Sequence, residues 1–131
     1  MGIVNLLLDT CAFLWLALPQ GKLSGRAIAL LDDSANALFI SDASVWEISL
    51  KYSAGKLPLP GQPRSWLPPR LAFFQVEPLP LTHEILFRSG ELPQIHGDPF
   101  DRLLAAHAIE AGMTVLSPDR PLSMLGASRV W

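Results

Sequence analysis

Cysteine, charge and long apolar runs are all scarce in this sequence. The single cysteine, Cys11, excludes an internal disulfide and points to a reducing compartment. Charged residues make up only 17% of the chain, below the quarter usual for a solitary soluble domain. A partner that covers apolar surface is therefore expected. Ten Lys and Arg against twelve Asp and Glu leave a net charge of −2, which excludes a uniformly basic surface for nucleic acid. The longest unbroken apolar run, Cys11 to Leu18, is far short of the ~20 residues of a membrane span. The N-terminal stretch Met1-Gly2-Ile3-Val4-Asn5 has neither a basic region nor a small-residue cleavage site, and Asp9 interrupts the apolar residues that follow. No signal peptide and no membrane association are expected, and the cytoplasm is the default location. There is no G-x-S-x-G elbow and no glycine-rich phosphate loop, since Gly21-Lys22-Leu23-Ser24 lacks the upstream glycine. His83, His96 and His107 do not have metal-ligand spacing.

What is present is a chain of 131 residues that is 50% hydrophobic. That is too apolar for disorder, and it suits one domain, 1–131, able to bury roughly two-thirds of its unfolded surface. Ile3 to Leu8 and Ala37 to Ser41 read as strands buried on both faces. Met113 to Leu116 and Ser128 to Trp131 read as later strands, and Phe73 to Val76 as a weak one. Helices are expected over Ala12 to Ala17, from Ser24 as N-cap, over Asp42 to Tyr52, from Thr82 as cap through Ser89, and from Asp98 to Ala111. The last has Asp at N-cap, Pro99 at the first position and Gly112 as stop. Residues 57 to 69, rich in proline, read as a loop with at most one helical turn around Trp66. Strands alternating with helices imply parallel pairing with right-handed crossovers, hence a three-layer α/β/α sandwich with a central, mainly parallel sheet. Ligands in such sheets bind at the carboxyl ends of the strands.

The acids gather at that edge. Asp9 ends the first strand, and Asp119 follows the fourth. Asp101 lies in the first turn of the helix opened by Asp98. Glu47 lies near the start of the helix after the second strand. Asp9, Glu47, Asp101 and Asp119 can thus converge on one pocket, with Asp98 nearby. Carboxylates so close raise one another's pKa unless a cation neutralises them. Oxygen-only ligands select hard cations such as Mg²⁺ or Mn²⁺, and such a site supports phosphodiester hydrolysis.

Each acid also has a plainer use. Asp9 can cap the helix that follows it. Ser44-Val45-Trp46-Glu47 fits a capping box, with Asp42 an equally good cap. Asp98 suits the cap better than a ligand role, Asp101 suits the helix dipole, and Asp119 suits a turn. Cys11 reads as a small buried thiol and His107 as a core residue. Trp15, Trp46, Trp66 and Trp131 read as core, with Trp15 and Trp66 the two that could face an interface.

Four segments together resemble a known family: Leu7-Leu8-Asp9-Thr10-Cys11-Ala12-Phe13-Leu14-Trp15, Ser44-Val45-Trp46-Glu47-Ile48, Asp98-Pro99-Phe100-Asp101-Arg102-Leu103-Leu104-Ala105-Ala106 and Ser117-Pro118-Asp119. In order and over nearly the whole chain they are similar to bacterial PIN-domain ribonucleases of the VapC toxin type. The resemblance implies a metal-dependent endoribonuclease that cleaves RNA, binds Mg²⁺ or Mn²⁺ and is silenced by a cognate antitoxin. It implies Asp9, Glu47, Asp101 and Asp119 as the metal-site acids, Asp98 as an extra acid, and Ser117 as a hydroxyl supporting Asp119. It also implies homodimers. One departure is Cys11, where this subgroup often has histidine. The other functions weighed are a non-catalytic binding module on the same scaffold and a receiver-like phosphoacceptor. The second lacks its adjacent acid pair and its late lysine, the last lysine being Lys56.

Overall fold

The computed structural model describes residues 3–131; Met1 and Gly2, on which the absence of a leader was partly read, lie outside the described residues. The elements are β1 (Asn5–Leu8), α1 (Thr10–Ala17), α2 (Gly25–Asp32), β2 (Ala37–Ser41), α3 (Asp42–Ser53), α4 (Pro63–Phe73), β3 (Val76–Leu79), α5 (His83–Glu91), α6 (Pro99–Ala111), β4 (Thr114–Leu116), α7 (Pro121–Met124) and β5 (Arg129–Val130).

The five strands form one sheet in the order β3-β2-β1-β4-β5, and every pairing is parallel. Side chains alternate across β1. Leu6 and Leu8 join one core with Phe13, Ile40, Ile48 and Leu71, while Leu7 joins the other with Ile85, Leu104, Val115 and Leu122. The sheet is therefore buried on both faces, as continuous apolar strands require. This is the expected three-layer sandwich. The chain builds outward from β1 through β2 to β3, then crosses back to place β4 on the other side of β1. Strand order reverses between β1 and β4, and the crevice at their carboxyl ends is where such sheets bind ligands.

Two local expectations are corrected, and one element is added. The proline-rich segment is a full helix, α4, with Pro68 and Pro69 inside it. Pro63 occupies the first turn, where its missing N–H costs nothing, and the two inner prolines are exposed. Leu67 and Leu71, one turn apart, enter the core, and their burial outweighs the lost backbone bonds. The third strand starts at Val76 rather than Phe73, because α4 consumes Phe73 and the chain turns at Gln75 with φ 55°. It carries Pro78, which an edge strand tolerates. The short α7, unread in the sequence, follows Asp119 with Pro121 in its first turn. Among the described residues no helix is long and apolar enough to cross a membrane.

Candidate metal centre

A cleft of about 300 Å³ opens at the carboxyl ends of β1 and β4 and the start of α6. Asp9, Glu47, Asp98, Asp101 and Asp119 all line it. Each arrives by a local rule of chain geometry.

Asp9 follows β1 directly and is only 4% exposed. One carboxylate oxygen caps α1 by accepting the Ala12 N–H at 2.6 Å. The other accepts the Ser117 hydroxyl at 2.5 Å. The capping use and the cleft position thus coexist in one side chain. Ser117 Oγ in turn accepts the Asp119 N–H at 3.0 Å, so one hydroxyl joins the two strand-end acids. Burial pushes the Asp9 carboxyl up to about 7, against the two hydrogen bonds, with the charges of Asp119 and Asp101 adding to the rise.

Glu47 sits in the second turn of α3, one turn later than its reading near the helix start. The capping box is not formed. Ser41, at the end of β2, caps α3 instead, its hydroxyl accepting the Ala43 N–H at 3.1 Å. Glu47 is thereby free for the cleft, where Thr10 Oγ1 donates to one oxygen at 2.5 Å and Lys51 Nζ to the other at 2.5 Å. This pairing keeps the Lys51 ammonium above its ordinary pKa.

Asp98 caps α6 as expected, one oxygen accepting the N–H groups of Phe100 at 2.8 Å and Asp101 at 3.3 Å. Asp101 lies one step further into the helix, and His96 Nε2 stands 2.8 Å from its second oxygen. Burial raises the Asp101 carboxyl; His96 opposes that, and Asp98 and Asp119 reinforce it. His96, Asp98 and Asp101 each offer a ligand atom within 4.8 Å of the others, and among the described residues this is the one such group of three. Asp9, Glu47 and Asp119 line the same cleft outside that group.

His96, set aside in the sequence for want of metal-ligand spacing, is corrected here: a loop with no period brings it beside Asp98 and Asp101. Arg102 fixes that loop: its guanidinium donates to the carbonyls of Ser89, Leu92, Pro93 and His96 at 2.8 to 3.0 Å. Lys51 had a signal, its position four residues after Glu47 on one helix. Two other readings are corrected. Cys11 is exposed rather than buried. Local desolvation, followed by Asp9, Asp119 and Glu47, pushes its thiol up to about 11, the reverse of an activated nucleophile. Trp46 is 49% exposed, its ring edge-on to Phe100 with centroids 5.0 Å apart. On the helical rise α3 presents Glu47 to the cleft and turns Trp46 out. Trp15 and Trp66 are half-buried, Trp15 packing on Trp131. His107 is buried as expected, Nδ1 2.8 Å from Ser41 Oγ, and burial lowers its pKa.

The donor set fits a hard divalent cation. It is dominated by carboxylates, two of them held above the usual carboxylate range by burial and mutual charge, a tension that a bound cation relieves.

Comparison with known proteins places the fold. A family model for the PIN domain matches residues 6–126. Ribonuclease VapC16 of Mycobacterium tuberculosis is 37% identical over 82 residues, a stretch covering 56% of this chain and 58% of that protein. The match therefore spans little more than half of the relative's length. Among solved structures, VapBC2 from Rickettsia felis bound to a DNA fragment from its promoter superposes with a TM-score of 0.70 at 21% identity, covering 97% of this chain and 98% of that one. FitAcB from Neisseria gonorrhoeae superposes with a TM-score of 0.68 at 18% identity, covering 96% of each chain. At these identities the two structures establish a shared fold.

Proposed function

The chain belongs to the PIN domain family, and from that premise we propose that it is a divalent-metal-dependent endoribonuclease, a toxin of the VapC type held silent by a cognate antitoxin. The observation that carries the reading is the convergence of Asp9, Glu47, Asp101 and Asp119 on one cleft at the point where strand order reverses. Asp9, Asp101 and Asp119 would hold Mg²⁺ or Mn²⁺, with Asp98 beside them as the helix cap. A bound ion of this kind polarises the scissile phosphate and lowers the pKa of a bound water.

The chain's own groups prepare that chemistry. Ser117 fixes the rotamer of Asp9 and draws the Asp119 backbone to it, so the strand-end acids keep one separation. Thr10 and Lys51 hold Glu47 from opposite oxygens. So tethered, Glu47 is suited to orienting the attacking water. Low exposure of Asp9 keeps its field strong, since few waters screen it. The antitoxin partner, pairing of two copies and a cytoplasmic location belong to the same proposal. The similar structures are those of VapBC2 from Rickettsia felis and FitAcB from Neisseria gonorrhoeae, which supports a partner for this chain as well.

The test is cleavage of a fluorescently labelled RNA by the purified chain with Mg²⁺, with Mn²⁺ and with EDTA. Internal cuts that need the metal support the reading. Intact RNA under all three conditions, from protein that melts cooperatively, favours the non-catalytic binding module instead.

A further inference from the structure

A cleft with five carboxylates repels the polyanion it is proposed to cut, so the route by which RNA enters needs cations at the rim. The cations lining the cleft are Lys51 and Lys56. They come from one side of it, and the backbone holds them together. Helix α3 ends at Ser53, and Gly55 takes the left-handed conformation, φ 71°. The Gly55 N–H donates to the Tyr52 carbonyl at 3.0 Å, and the Lys56 N–H donates back to the Lys51 carbonyl at 2.9 Å. This paired closure folds the chain over the last helical turn and brings Lys56 alongside Lys51. Two lysines that are five apart in sequence become a pair at one edge of the cleft. Lys51 also donates to Glu47, and its ammonium has further protons to give.

We propose that Lys51 and Lys56 form the phosphate-binding rim of the cleft, holding RNA backbone phosphates next to the one positioned at the acids. The inference rests on the ribonuclease reading above. It sets a path for the strand. The RNA backbone crosses the C-terminal end of α3, with the scissile phosphate over Asp9 and Asp101 and its neighbours over the lysine pair. Lys51 touches both partners, a phosphate on one side and Glu47 on the other. Lys56 contacts substrate alone.

The test uses the full chain and single-turnover cleavage of a labelled single-stranded RNA at saturating Mn²⁺, for wild type, Lys56→Ala, Lys51→Ala, Lys51→Arg and the Lys51→Ala/Lys56→Ala pair. Half-saturating concentration and maximal rate are separated, and affinity is followed against salt by anisotropy in the Asp101→Asn background. The double variant should raise the half-saturating concentration about tenfold, and the slope of log affinity against log salt should fall by about 1.4, as for two lost phosphate contacts on a single strand. Lys56→Ala should keep its maximal rate within about twofold, and Lys51→Arg should restore most of the affinity. Melting with Mn²⁺ should stay as in wild type for Lys56→Ala. Affinity and salt slope unchanged in the double variant, with wild type cleaving normally, overturns the lysine rim and leaves the ribonuclease reading standing. Wild type that neither binds nor cuts RNA overturns both.

Discussion

Replacing Asp9 with asparagine should stabilise the metal-free protein at high pH and slightly destabilise it at low pH. The cause is a carboxyl whose folded pKa, about 7, lies above its ordinary value of 3.8. A group raised in this way favours the folded state only while protonated. Its contribution is fully present below the unfolded value and is lost as pH rises through the folded one. The gap therefore opens between about pH 4 and pH 7. Its ceiling is about 4 kcal/mol, from a shift of roughly three units at 1.36 kcal/mol each. Asparagine keeps the acceptor for the Ala12 N–H. It offers an amide to Ser117 Oγ, whose own proton then loses its acceptor. That costs about 1 kcal/mol at every pH. The net expectation is a gain of about 3 kcal/mol at pH 8, near 10 °C in melting temperature for a domain of this size, and a small loss at pH 4. Thermal melts of both proteins in EDTA at pH 4, 6 and 8 provide the assay. Comparison at equal pH cancels the titrating groups that do not interact with Asp9, and the relief of Asp101 and Asp119 in the variant acts in the same direction. A variant less stable than wild type at pH 8, or a difference independent of pH, refutes the buried, repelled carboxylate.

Other consequences are measurable by the same means. Mn²⁺ or Mg²⁺ at millimolar levels should raise the wild-type melting temperature by mass action, and the rise should vanish in Asp9→Asn. Asp98→Ala should cost about 1 kcal/mol through the lost helix cap and leave substantial RNA cleavage, whereas Asp101→Asn should abolish cleavage with little loss of stability; paired melting and cleavage assays would show a reversed assignment at once. Arg102→Ala should cost about 2 kcal/mol, since it strips a charged donor from four carbonyls of the loop that carries His96. Hydrogen exchange should then quicken over residues 92–97, and unchanged exchange there would count against the anchoring role.

How far the sequence reveals this molecule depends on whether its signals are local. Helix α6 was legible to its ends, because Asp98, Pro99 and Gly112 are each local instructions. The strands β1, β2 and β4 were legible from their apolar runs, and with them the edge on which Asp9 and Asp119 stand. Helix α4 was not, because only the burial of Leu67 and Leu71 against distant residues overrides its prolines. The exchange of caps from Ser44 to Ser41 was also hidden. It depends on Ser41 ending a strand within hydrogen-bond reach of His107, a residue from another element. The four acids that line the cleft could be singled out from the sequence. The groups that hold them, Thr10 on Glu47 and His96 on Asp101, were not, since those contacts follow from the fold and from a loop that Arg102 shapes.

The most direct test of the central claim is a Mn²⁺ titration followed by the electron paramagnetic resonance of free ion, run beside RNA cleavage on the same preparations of wild type, Asp9→Asn and Asp101→Asn. One shared acidic centre predicts saturable binding by wild type, and loss of both binding and cleavage in each variant. Cleavage that persists in EDTA, or in variants that no longer bind the ion, would contradict it.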